Sequence, residues 1–129
     1  MDYVNLVILL ALVEYAIFIL LVGATRTKYN VEAPATTGNE QWVRLHRIQV
    51  NTTEQLILFI PAILAFAWYV NPAWAAGLGS IFLVGRALYF VGYGRAANKR
   101  LPGAIMTSFT SYIMVIGALI GLALELINA

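Results

Sequence analysis

The feature that leaves this chain least freedom is an apolar run from Val4 to Ala24 broken by one charge, Glu14. As a helix, roughly 20 apolar residues cross about 30 Å of hydrocarbon, so the run predicts a membrane span. Similar runs extend from about Ile48 to Val70, from Trp74 to Tyr93, and from just after Pro102 to about Ile127. Composition agrees, with 61% hydrophobic and 11% charged residues and a mean hydropathy of +0.80, where soluble domains average about 25% charged. Such a chain cannot dress itself in a water-facing shell, and part of its solvent is lipid. Strands are disfavoured, because four short apolar runs cannot close a barrel and open sheet edges are not viable in lipid. The expectation is an all-α, four-helix integral membrane bundle forming a single domain over residues 1–129.

Basic residues set the expected orientation. Arg26, Lys28, Arg44 and Arg47 lie in or beside the first connection, and Arg95, Lys99 and Arg100 lie in the third. The second connection and both termini carry no Lys or Arg. Positive-inside bias therefore places connections one and three in the cytoplasm and both termini on the other side. The first span is not read as a cleaved signal peptide, since its leading residues are acidic and its apolar stretch exceeds the usual core length. Asn51-Thr52-Thr53 matches a glycosylation sequon but would face the cytoplasm, so it is read as chance. Asn71-Pro72 reads as a turn, and the segment from about Thr25 to Arg44 as irregular. With no cysteine and one histidine, His46, neither a disulfide nor a metal site is expected. No nucleic-acid partner is expected either.

Ionisable residues within spans cost about 2.5–3.5 kcal/mol each on insertion scales, which makes them functional candidates. Arg47, Asn51 and Glu54 open the second span at steps of four and three, on one helical face. Gln49 points elsewhere, toward another helix or subunit. Arg86, Tyr89, Tyr93 and Arg100 share a second face if the third helix continues through Gly94-Arg95-Ala96-Ala97. Each set admits a plain structural reading, as an interfacial cap with Arg47 paired to Glu54 or snorkelling, or as an aromatic belt. Each also admits a functional one. Together they supply guanidinium, carboxylate, amide and phenol groups at one depth, which suits a small zwitterion bearing carboxylates.

Thr36-Thr37-Gly38 followed by Arg44-x-x-Arg47-x-Gln49-x-Asn51-x-x-Glu54 resembles the second-helix signature of the MAPEG family, the membrane-associated proteins in eicosanoid and glutathione metabolism. Gly85-Arg86-x-x-Tyr89-x-x-Gly92-Tyr93, then Arg95 and Arg100, resembles its third-helix signature. The resemblance covers nearly the whole chain. It implies a homotrimer with glutathione as co-substrate, bound between subunits and facing the cytoplasm of a bacterial inner membrane or endoplasmic reticulum. Arg47, Asn51, Glu54, Arg86, Tyr89 and Tyr93 match positions that hold the tripeptide. Arg26 and Gln49 match positions that a neighbouring subunit contributes, and Arg100 matches the arginine that stabilises the thiolate. The second substrate would be a lipophilic electrophile or lipid hydroperoxide arriving from the bilayer. Gln55, Thr27 and Val43 depart from the leukotriene-synthase-like pattern of tyrosine, arginine and glutamate. The resemblance thus implies a broad glutathione transferase, with peroxidase activity as an extension. A noncatalytic lipid-binding partner protein and a small structural or transport bundle whose arginines bind lipid headgroups are the alternatives.

Glu14 is the costliest charge and is expected either to be protonated or to pair with Arg86. Gly117-x-x-x-Gly121 is expected to let helices approach closely. Pro61 is expected to kink the second span, and Trp68, Tyr69 and Trp74 to form an interfacial belt.

Overall fold

The structure, a computed structural model, describes residues 1–129 apart from the Ala97 side chain. Four helices follow one another: α1 (Asp2–Ala24), α2 (Glu40–Tyr69), α3 (Pro72–Arg95) and α4 (Leu101–Ile127). Each is long and apolar enough to cross a membrane.

The helix ends follow from local chemistry. The Asn39 side chain accepts from the backbone N–H groups of Gln41 and Trp42 and starts α2. That cap corrects the expected irregular stretch: residues 40–44 are helical, and the second helix begins well before Ile48. Asn71 does the same for α3, accepting from Ala73 and Trp74 with Pro72 in the first turn. A side-chain cap of this kind is worth about 1 kcal/mol. Asn71→Ala is therefore expected to lower stability by about that amount, read as a small drop in melting temperature in detergent with unchanged helicity.

The expected continuation of α3 toward Arg100 is also corrected. The helix stops at Arg95, Ala96 is extended, and a short 3₁₀ turn over Ala97–Lys99 leads into α4. Gly92 makes the reversal possible, because a Cβ there would collide with the Lys99 carbonyl. Pro102 sits in the first turn of α4, as expected.

Contacts run up-down-up-down. Tyr15 meets Thr53 and Val22 meets Trp42, so α1 and α2 are antiparallel. Phe18 stacks on Phe90 at 5.1 Å, and Val7 lies against Gly79. Those two contacts make α1 and α3 parallel, and both chain ends emerge at one end of the bundle. Lipid tails are as apolar as leucine, so the helices hold together by close packing and hydrogen bonds rather than by water exclusion. Phe59 and Phe82 stack at 3.8 Å in a core that Val4, Ile63 and Met114 complete. Gly117 receives Phe66, and Gly121 receives the Tyr69 backbone, as the small-residue pattern predicts. Pro61 is carried within a continuous α2. Outward faces carry Leu9, Val13 and Leu20 on α1, Val84, Leu88 and Val91 on α3, and Ile105, Phe109 and Ile116 on α4. Trp68 and Trp74 stand exposed where α2 turns into α3.

Candidate functional site

At the end of the bundle away from the chain termini, a groove of about 490 Å³ opens between α2, α3 and the start of α4. From α2 it is lined by His46, Arg47, Val50, Asn51 and Glu54. Tyr89 and Tyr93 contribute from α3, and Arg100 and Ala104 from α4. Arg47, Asn51 and Glu54 arrive together because steps of four and three fall on one helical stripe. Arg100 arrives by a different route from the one expected. It stands at the N-cap of α4, and the 3₁₀ turn folds it back over Tyr93, 5.8 Å from the ring centroid.

Behind the groove lies Arg86, 1% exposed. Its Nη1 donates to Asn51 Oδ1 at 2.8 Å and to Thr52 Oγ1 at 3.1 Å, and its Nη2 donates to Thr107 Oγ1 at 2.9 Å. The guanidinium carbon is also 4.4 Å from the Tyr89 ring centroid. Tyr89 and Tyr93 meet at 5.5 Å with their rings tilted. A column thus runs Arg86, Tyr89, Tyr93, Arg100, with two aromatic rings between two cations. Ring faces attract cations and stabilise them where water is scarce. Burying an arginine also demands partners for its donors. Side chains from α2 and α4 provide them for Nη1 and Nη2, while Nε is buried without one.

Two expected ion pairs do not form. Among the described residues the one salt bridge is Arg44 with Glu40, at 3.1 Å on the helix surface. Glu14 therefore makes no ion pair with Arg86, and its Oε1 is buried without a hydrogen-bond partner. Arg47 and Glu54 are both exposed and leave their charges available along the groove. That placement sets aside the mutual-pairing version of the interfacial-cap reading.

Arg26 and Gln49 lie outside the groove of their own chain. Arg26 follows α1, donates to the Ala35 carbonyl at 2.8 Å and covers Trp42 at 4.6 Å from the ring centroid. Trp42 is fully buried, and its indole N–H donates to the Val22 carbonyl. His46 stacks on Trp42 at 5.2 Å, and in this way reaches the groove wall. Gln49 is half-buried, with its backbone carbonyl accepting from Thr53.

His46, Thr52 and Thr107 were absent from the site predicted from sequence. Gly103, Thr107, Thr110 and Ser111 form a buried small and polar stripe at helical spacing along α4. That stripe was the available signal for Arg86's partners.

A model described as the MAPEG family matches residues 4–120. Microsomal glutathione S-transferase 2 of Homo sapiens is 37% identical over 112 residues, covering 86% of this chain and 76% of that protein. Leukotriene C4 synthase of Bos taurus is 32% identical over 123 residues, covering 95% of this chain and 82% of the relative. An uncharacterized protein of Synechocystis sp. is 46% identical over 121 residues, covering 94% and 88%.

Proposed function

The chain belongs to the MAPEG family, and from that premise we propose that it is a membrane-bound glutathione transferase. The observation that carries this reading is the convergence of Arg47, Asn51, Glu54, Tyr89, Tyr93 and Arg100 on one groove. Glutathione offers two carboxylates, an ammonium group, peptide amides and a thiol, and the groove offers a complement to each. Arg47 pairs with a carboxylate, in the fork geometry that guanidinium and carboxylate share. Glu54 takes the ammonium group. The Asn51 amide and the tyrosine hydroxyls meet the peptide groups.

Arg100 stabilises the thiolate. A free thiol near pKa 8.5 is mostly protonated at neutral pH, and a fixed cation beside the sulfur lowers that value. The thiolate then attacks an electrophilic carbon of a lipophilic substrate that enters from the bilayer. The carbon–sulfur bond forms as that carbon's bond to its leaving group breaks, and the leaving group departs with the electron pair and takes a proton from water. With a lipid hydroperoxide as the acceptor, two glutathione molecules are oxidised to the disulfide. The hydroperoxide is reduced to the alcohol and water.

The protein works as an integral, multi-pass homotrimer. Its termini lie on the non-cytoplasmic side and its grooves face the cytoplasm, a reading that the basic first and third connections support. Arg26 and Gln49, which lie outside their own groove, serve a neighbour's. Support for a broad transferase rather than a dedicated leukotriene synthase comes from Gln55, Thr27 and Val43.

Titration of the purified protein with glutathione tests the reading. A native-state ligand at a hundred times its Kd stabilises by about 2.7 kcal/mol, which appears as a raised melting temperature together with binding heat in calorimetry. No heat and an unmoved melting temperature would overturn it. Binding without an ultraviolet thiolate band would instead favour the noncatalytic, lipid-binding alternative.

A further inference from the structure

Arg86 is buried beneath the groove rather than on its wall, and its bonds impose a direction on what the groove presents. A guanidinium has donors only. The Asn51 atom 2.8 Å from Arg86 Nη1 is therefore the carbonyl oxygen. This polarity follows from the inventory of donors and acceptors and needs no view of the hydrogens. Asn51 lines the groove, and with its oxygen committed inward, its Nδ2–H donors remain for a ligand.

The rest of the network enforces the same direction. The Thr52 hydroxyl donates to the Ile48 carbonyl at 2.7 Å, and the Thr107 hydroxyl to the Gly103 and Ala104 carbonyls at 3.1 Å. Each hydroxyl has one proton and has spent it within its own helix, so each can only accept from Arg86. Thr52 and Asn51 belong to α2 and Thr107 to α4, so one side chain from α3 ties together both walls of the groove.

We propose that Arg86 is a positioning residue for glutathione. It fixes the Asn51 amide so that N–H donors, not the carbonyl oxygen, meet an acceptor on the tripeptide, a carboxylate or a peptide carbonyl. It also holds the α2 wall bearing Arg47, Asn51 and Glu54 at a set distance from the α4 wall bearing Arg100. This rests on the reading of the groove as a glutathione site.

The test is calorimetric titration of the full-length protein in detergent, with glutathione as the probe, on wild type and N51D, R86Q, R86K and T107V. N51D keeps an oxygen for Arg86, which neutralises the new carboxylate, and deletes the N–H donor. R86Q introduces an amide with both donor and acceptor, which releases the Asn51 amide to turn either way. A lost charge-assisted hydrogen bond corresponds to about a tenfold weaker Kd. N51D and R86Q are expected to show that loss at unchanged stoichiometry, R86K a smaller loss, and T107V a loss through the wall separation alone. At saturating glutathione the thiolate band is expected to weaken in R86Q and T107V, where the α4 wall bearing Arg100 is no longer held to the α2 wall.

Wild-type Kd in N51D would overturn the assignment of the amide donor. Reduced stoichiometry at unchanged Kd in R86Q and T107V would overturn the positioning role, leaving a folding effect. If R86Q fails to fold, N51D and R86K decide the matter. No heat with wild type would overturn the glutathione reading, and the inference with it.

Discussion

Arg100→Ala is expected to lower turnover at neutral pH by more than one order of magnitude while leaving much of the affinity for glutathione. With a thiol pKa of about 8.5, about 3% is ionised at pH 7, and lowering that value by two units raises the fraction to about three quarters. Loss of the cation alone therefore costs roughly 25-fold in thiolate. The pH dependence carries the sign. In the variant, turnover rises with pH until the unassisted thiol ionises, so its deficit against wild type narrows from pH 7 toward pH 9. A loss of folded protein would instead scale turnover down equally at every pH. Arg100 is suited to this separation because it stands at the N-cap of α4 on the exposed lip of the groove. Its removal leaves Arg47, Asn51 and Glu54 in place. Unchanged turnover and an unchanged ultraviolet thiolate band would remove Arg100 from the mechanism.

The second large effect is structural. Gly103→Leu is expected to destabilise the protein by about 3 kcal/mol or more, since overpacking against atoms that cannot rotate away exceeds the usual core cost. A Cβ at Gly103 would collide with the Tyr89 backbone nitrogen and lie 2.6 Å from both Tyr89 Cα and the Gly85 carbonyl oxygen. These are main-chain atoms of α3, so relief requires α3 and α4 to part. Parting them would draw Thr107 from Arg86 and Arg100 from Tyr93, and glutathione binding is expected to fail with the fold. Gly77→Leu is the matched control. Nothing lies within 4 Å of a Cβ there, and helix propensity favours leucine over glycine by a few tenths of a kcal/mol or more. Melting temperatures and elution profiles in detergent distinguish the two, and an intact Gly103→Leu protein would refute the contact.

Much of this arrangement is legible without coordinates because lipid simplifies the reading. Apolar length alone predicts four helices, and the stripe Arg47-Asn51-Glu54 falls on one face by helical arithmetic. What escaped was decided by contacts between distant segments. The start of α2 rests on Asn39, a capping asparagine inside a polar stretch with no apolar periodicity to mark it. The position of Arg100 depends on Gly92 admitting the Lys99 backbone, a tertiary contact that reads in sequence as a helix running on. In sequence Arg86 reads as a ligand-binding cation, because its cost is plain and its intramolecular partners are not. Thr52 and Thr107 are separated from it by 34 and 21 residues.

The anchoring of Trp42 bears on how copies of this chain can cooperate. With its indole bonded to Val22 at the foot of α1 and its backbone in the first turn of α2, the intervening segment is pinned at both ends, a strap and not a tether. Arg26 rides on that strap, held by the Ala35 carbonyl and the face of Trp42. It can be redeployed by giving up those two contacts, with no unfolding of the segment, but it cannot travel further than its own side chain extends. In the proposed trimer, a neighbour that relies on this guanidinium would have to bring its groove within one arginine's reach of Trp42.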